Sequence, residues 1–120
     1  MKKHTLKKTI LLMLLAATSA VTMPAWAHAK LTSSDPAANA SVKPPKLIKL
    51  TFTENLEPAF SGAELIDAAG ESVPVSKSVG GATITLLPLP LKPGAYKVTW
   101  HSVGRDTHRM SGSFSFKVVH

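Results

Sequence analysis

The 120-residue chain contains no cysteine, which excludes disulfide bonds, thiolate metal ligands and a thiol nucleophile. Methionine is also scarce, because only Met110 lies beyond residue 27. No apolar run reaches the roughly 20 residues that a membrane-spanning helix needs. The length allows a single domain and excludes a multi-domain enzyme or a polytopic transporter.

Acidic residues are half as frequent as basic ones, and the basic excess is concentrated at the N-terminus. Four lysines and no acid occur within the first eight residues, and the apolar run Ile10–Ala17 follows. Alanine then occupies positions −3 and −1 of a cut after Ala27. This order is typical of a cleaved secretory signal peptide. A membrane anchor would need a longer apolar run, and a cut after Ala20 would place Thr18 at −3.

We therefore predict that residues 1–27 are a signal peptide and that residues 28–120 work in the periplasm of a Gram-negative bacterium. Removing four lysines and no acid lowers the formal charge from +7 to +3. The remaining basic residues are scattered, with no basic run that interleaves aromatic side chains. The charge pattern therefore argues against nucleic acid as a partner, and no membrane span is expected in residues 28–120.

Short segments of alternating apolar and polar residues, separated by glycine and proline, predict an all-β fold. Pro74 restricts its segment to a sheet edge, because proline cannot donate to a ladder. Leu91–Tyr96 has the pattern of a tyrosine corner. About seven strands predict an immunoglobulin-like antiparallel β-sandwich with Greek-key connections. The predicted strands are 30–33, 46–52, 63–67, 72–75, 82–86, 96–101 and 113–118, and the predicted aromatic core is Tyr96, Trp100, Phe114 and Phe116.

His28 becomes the first residue if the cut follows Ala27. A terminal histidine offers its α-amine and its imidazole Nδ1, which together can chelate a metal. The amine titrates near pH 8 and the imidazole near pH 6.5, so both can lose their protons around neutrality. Cu(II) favours nitrogen and oxygen ligands in tetragonal geometry. By itself this feature is a weak indication, because signal cleavage exposes whichever residue comes next.

Three other side chains could contribute. Asp106 and His108 are two positions apart, so an extended loop would point both the same way; the alternative is an Asx turn beside a solvated histidine. Glu54 ends a predicted strand, and the alternative there is a solvated acid. His101 lies on the strand face opposite Trp100, and we interpret it as a partly exposed strand residue rather than a ligand.

Several stretches of residues 28–120 occur in the order found in one known family. They are His28–Leu31, Ser34–Ala37, Ala40–Val42, Leu50–Leu56, Phe60–Ala63, Leu91–Trp100, Asp106–His108, Ser111–Gly112 and Phe114–Phe116. Together they resemble the CopC family of periplasmic copper-binding proteins, over essentially the whole of residues 28–120.

The resemblance implies a β-sandwich that binds one Cu(II) ion through a histidine brace, formed by the amine and ring of His28 and the ring of His108. It implies Asp106 as a carboxylate ligand and Glu54 as an acid at or near the metal. Some relatives add a methionine-rich loop for Cu(I), but Ile66–Gly81 contains no methionine, so a single Cu(II) site is predicted.

The implied role is copper homeostasis or resistance by a monomer, with a CopD-type inner-membrane copper protein or another periplasmic copper protein as partner. Two other classes stay open at this point. A small copper-dependent monooxygenase could use the same brace, but the small chain and the Asp106 ligand disfavour open catalytic positions on the metal. A metal-free sandwich interaction module would require the metal-site features to coincide by accident. We predict a binding protein and not an enzyme.

Overall fold

The computed structural model describes residues 28–120, and the predicted signal peptide lies outside the described residues. This part of the chain forms nine strands and one 3₁₀ turn, Pro58–Phe60, and contains no α-helix. No helix in these residues is long and apolar enough to cross a membrane. The strands are β1 (Leu31–Asp35), β2 (Ser41–Val42), β3 (Ile48–Phe52), β4 (Gly62–Ile66), β5 (Ser72–Val73), β6 (Val75–Gly80), β7 (Thr83–Pro88), β8 (Gly94–Val103) and β9 (Arg109–Val118).

The strands form two sheets of a sandwich, and the chain crosses repeatedly between them. One sheet has the order β1-β3-β7-β6, and the other has the order β2-β9-β8-β4-β5. The pairs are antiparallel except for β2, which runs parallel to β9 through Ser41↔Lys117 and Val42↔Val118. The predicted all-β sandwich is confirmed, with one parallel pair and with two strands, β2 and β6, beyond the expected seven.

The core lies between the two sheets and follows the alternation in the sequence. Inward positions of β3 and β7 are buried, and they face buried positions of β4, β8 and β9. Burying each such aliphatic or aromatic side chain contributes about 1.5–3 kcal/mol. Trp100 and Phe114, predicted as core, are only partly buried and pack against its margin. The main buried side chains are Ile48, Leu50, Phe52, Leu65, Ile84, Leu86, Tyr96, Val98, Phe116 and Val118.

The predicted tyrosine corner is present at the start of β8. The phenol of Tyr96 donates a hydrogen bond to the carbonyl of Lys92 at 2.7 Å, while its ring stacks on Phe116 with centroids 5.8 Å apart. The ring is buried in the core, so the hydrogen bond satisfies the one polar atom that it carries inward. This corner ties the crossover between the sheets to the start of the long β8–β9 hairpin.

Pro74 divides the predicted edge segment into two strands of different sheets. β5 is the edge of the five-stranded sheet, and β6 is the edge of the four-stranded sheet. The sequence did not predict β6 because Lys77 occupies an inward position, opposite the buried Leu86. The Lys77 side chain is exposed, and its Nζ lies 2.9 Å from where a Cβ of Gly62 would be. A charged lysine on an edge strand disfavours pairing of that edge with another chain.

Candidate metal centre

Three chain segments meet at one end of the sandwich. β1 pairs with β3 in antiparallel register, Leu31 opposite Phe52, so residues 28–30 lie beside the residues that follow β3. The β8–β9 hairpin closes at Val103↔Arg109, which leaves residues 104–108 as a loop at the same end. The topology therefore brings the start of the described chain next to a loop that lies almost 80 residues away in sequence.

Two histidine rings converge on one carboxylate oxygen at this end. His28 Nδ1 donates to Asp106 Oδ2 at 2.7 Å, and His108 Nδ1 donates to the same oxygen at 3.1 Å. The two rings meet edge to face, with centroids 4.9 Å apart and planes at 77°. Ligand atoms of the three residues all lie within 4.8 Å of one another. The structure thus brings together three of the four residues predicted as metal ligands.

The loop that carries Asp106 and His108 is a turn, so the expectation of an extended loop was wrong. Thr107 N donates to Gly104 O at 3.1 Å, and Thr107 has a φ of 64°, which is rare for a β-branched residue. His108 N donates to Asp106 Oδ1 at 3.1 Å. This is the Asx contact that the sequence offered as an alternative to a metal ligand. Asp106 uses Oδ1 for the turn and Oδ2 for the two histidine rings, so the Asx turn leaves Oδ2 directed at the site.

Asp106 is held in its ionised form. Partial burial alone would raise its pKa, but hydrogen bonds from the His108 backbone and ring and from the His28 ring outweigh burial and lower the pKa below its ordinary value. The side chain of Asp106 is 18% exposed, against 38% for His28 and 70% for His108. The site is therefore a solvent-accessible anionic centre with two imidazoles directed at it.

Glu54 lies outside this three-residue group and contacts the loop backbone. Its Oε1 accepts a hydrogen bond from Arg105 N at 3.0 Å. The carboxylate lies directly against Gly104, where a Cβ would overlap Oε1 and approach Cδ to 2.9 Å. The sequence analysis assigned no role to Gly104; its only signal was a glycine in the loop between the predicted strands 96–101 and 113–118.

His101 also lies outside the three-residue group. It is half-buried on the outer side of β8, as the sequence predicted. Burial lowers the pKa of His101, Arg109 and Lys77 lower it further, and Glu64 partly opposes them. At neutral pH this imidazole is therefore uncharged. Its charged neighbours include the cations Arg109 and Lys77, whereas His28 and His108 contact the carboxylate of Asp106.

The comparisons with known proteins agree with this architecture. A family model described as the CopC domain matches residues 31–119. The chain belongs to the CopC family. The chain is 41% identical over 107 residues to Protein YobA of Escherichia coli K12, and the match covers 84% of this chain and 86% of that protein. Copper resistance protein C of Pseudomonas syringae pv. tomato is 40% identical over 123 aligned positions, and the match covers 94% of this chain and 98% of that protein.

A solved structure of a CopC-family relative gives the same fold. The crystal structure of PcoC, described as a methionine-rich copper resistance protein from Escherichia coli, matches with a TM-score of 0.73 and 36% identity. The match covers 78% of this chain and 100% of that one. The present member differs from that description, because Met110 is its only methionine beyond residue 27. The family and the fold predicted from the sequence are both confirmed.

Proposed function

We propose that this protein binds one Cu(II) ion through His28, His108 and Asp106. The observation that carries the proposal is the convergence of both Nδ1 atoms on one Asp106 oxygen, with the donor atoms within 4.8 Å. Two imidazole nitrogens and a carboxylate oxygen form the kind of donor set that Cu(II) prefers. With no cysteine and one methionine in residues 28–120, a soft-ligand site for Cu(I) has no thiolate or thioether cluster to use.

Cleavage after Ala27 would supply one further donor. It would free the α-amine of His28, which then forms a chelate with the Nδ1 of the same residue. That Nδ1 lies 2.7 Å from Asp106 Oδ2, and because an ionised carboxylate can only accept, the nitrogen carries the proton of this hydrogen bond. Binding of the metal through this nitrogen therefore displaces a proton, as expected for imidazole ligands.

We propose a role in periplasmic copper homeostasis or resistance, by binding and not by catalysis. The support comes from membership of the CopC family and from relatives named copper resistance protein C. The proposed route is export by the signal in residues 1–27, binding of one ion by a monomer, and transfer to a CopD-type inner-membrane protein or another periplasmic copper protein. Glu54 is retained in this proposal as an acid close to the metal.

The first experiment compares His108→Ala with His101→Ala in the exported product. Cu(II) is titrated into each protein while the d–d absorption band and the EPR spectrum are recorded. We expect one equivalent of tetragonal Cu(II) in the unsubstituted protein. Binding should be roughly 100-fold weaker after His108→Ala, because loss of even an outer-shell partner of a metal ligand can cost about that much. His101→Ala is the matched control and should bind normally. Equal binding by all three proteins would refute the proposed ligand set, and no copper signal at all would favour a metal-free module.

The second experiment tests the amine. One additional residue is placed before His28, and intact mass defines the N-terminus of each product. The extended protein should lose tight binding, because its His28 nitrogen is then an amide. If the extended and authentic products bind Cu(II) equally, the amine is not a ligand.

A further inference from the structure

The segment that carries His28 lies outside the sheet. β1 begins only at Leu31, and residues 28–30 have no regular secondary structure. Segments at chain ends are poorly ordered unless other contacts fix them. A metal site that depends on His28 therefore requires contacts that hold this short segment against the β8–β9 loop.

Two hydroxyl side chains provide most of these contacts. Successive carbonyls of the segment each accept a hydrogen bond: His28 O from Thr53 Oγ1 at 3.0 Å, and Ala29 O from Ser102 Oγ at 2.5 Å. Lys30 O accepts from Thr53 N at 2.9 Å. Lys30 N donates to Thr53 Oγ1 at 2.9 Å, so one hydroxyl both accepts and donates within the segment.

The two hydroxyls differ in burial. Ser102 and Ala29 are both fully buried, so the Ala29 carbonyl would have no water to replace the Ser102 hydroxyl. The methyl of Ala29 also lies under the ligand loop, 3.4 Å from where a Cβ of Gly104 would be. Thr53 is exposed, which makes it replaceable without disturbing the core.

We propose that Thr53 and Ser102 are positioning residues for the metal centre. They fix the backbone on both sides of the Ala29 peptide, and so hold His28 facing Asp106 and His108. The hydrogen bonds of both hydroxyls go to backbone atoms of residues 28–30, whereas the three-residue group consists of imidazole and carboxylate side chains. This inference rests on the proposed Cu(II) function, and it adds two residues that act on the metal only through the His28 backbone.

Thr53→Val is the decisive substitution, because it keeps the shape of the side chain and removes both of its hydrogen bonds. We expect Cu(II) affinity to fall about tenfold, which corresponds to about 1.4 kcal/mol. Thr53→Ser retains the hydroxyl and should bind within about threefold of the unsubstituted protein, by the size of a single weakened hydrogen bond. Thr51→Val makes the same change two positions earlier on β3 and should leave affinity unchanged. Equal losses for Thr51→Val and Thr53→Val would overturn the proposal.

Ser102→Ala tests the second contact by leaving the Ala29 carbonyl buried without its partner. We expect at least a tenfold loss of Cu(II) affinity. If this protein does not fold, Thr53→Val still decides the question, because its side chain is at the surface.

A second readout separates positioning from general destabilisation. In the metal-free protein, amide hydrogen exchange at Lys30 should become fast in Thr53→Val and stay slow in Thr51→Val, because only the former loses the Lys30 N–H acceptor. The EPR spectrum of Thr53→Val should also show a second Cu(II) species with altered nitrogen ligation.

The outcomes distinguish this inference from the proposed function. If the unsubstituted protein binds no Cu(II), the function fails and the metal role of both hydroxyls fails with it, whatever the Lys30 exchange shows. If the unsubstituted protein binds Cu(II) while Thr53→Val keeps full affinity, an unchanged spectrum and a protected Lys30 amide, only the positioning inference fails.

Discussion

The contact between Gly104 and Glu54 predicts that Gly104→Ala destabilises the protein when Glu54 is present and stabilises it when Glu54 is removed. A methyl group at position 104 would overlap Glu54 Oε1, so Gly104→Ala must push the carboxylate away from Arg105 N. A hydrogen bond to a charged acceptor is worth about 1.5–3 kcal/mol, and exposure at this end of the sandwich reduces that value. We therefore expect Gly104→Ala to lower the free energy of unfolding by about 1–2 kcal/mol, and the melting temperature by about 4–8 °C per kcal/mol.

The same substitution should have the opposite effect once Glu54 is removed. In a Glu54→Ala background the overlap disappears, and Gly104 is not among the glycines with positive φ. Alanine then reduces the freedom of the unfolded chain and should stabilise by about 0.4–1 kcal/mol. The double-mutant cycle should therefore give a coupling of about 2 kcal/mol between the two positions.

Urea unfolding followed by the fluorescence of Trp100, the only tryptophan beyond residue 27, measures all four proteins of the cycle. An equal cost of Gly104→Ala in both backgrounds would refute the assigned contact. The single Glu54→Ala protein also tests the predicted metal role of this acid. A changed Cu(II) EPR spectrum would indicate a ligand, whereas weaker binding with an unchanged spectrum would indicate that Glu54 acts through the loop backbone.

Three further predictions concern positions away from the three-residue group. Tyr96→Phe removes the hydrogen bond to the Lys92 carbonyl and should cost about 1 kcal/mol of stability in thermal unfolding, with unchanged Cu(II) affinity. Gly112→Ala would place a Cβ 2.6 Å from the Trp100 ring; we expect a loss of about 1–3 kcal/mol and a shifted emission maximum, and an unshifted spectrum would contradict this packing. Burial and nearby basic groups lower the pKa of His101 in the folded protein, so His101 takes up a proton more readily in the unfolded chain than in the folded one. Stability should fall as the pH drops below about 6.5, and His101→Gln should remove that part of the decline.

Much of the fold could be predicted because its core strands alternate strictly. The inward positions are apolar over Ile48–Phe52, Tyr96–Trp100 and Phe114–Val118, and this period of two residues determines which face each side chain takes. β2 and β6 were missed for the complementary reason. β2 has two residues and pairs in parallel with a strand far along the chain, while β6 places Lys77 at an inward position. Neither has an apolar alternation from which a strand could be predicted.

The candidate site divides in a similar way. Its donor types could be proposed from residue chemistry and from resemblance, because imidazole and carboxylate groups are recognisable wherever they occur. The contacts that hold these donors in place could not be predicted, because those contacts join side chains to backbone atoms of segments far away in the sequence. Nothing in the sequence around Thr53, Ser102 or Gly104 indicates that their partners are residues 28–30 and Glu54.

The sequence by itself determined the sandwich class, the lack of cysteine and the presence of histidine and carboxylate side chains that could act as metal donors. These depend on residue type and on local period, which need no knowledge of long-range contacts. Only the tertiary structure decided that His28 and His108 share one oxygen of Asp106, and that a turn rather than an extended loop presents them. That arrangement depends on the pairing of β1 with β3 and of β8 with β9, and strand pairing is a property of the whole chain.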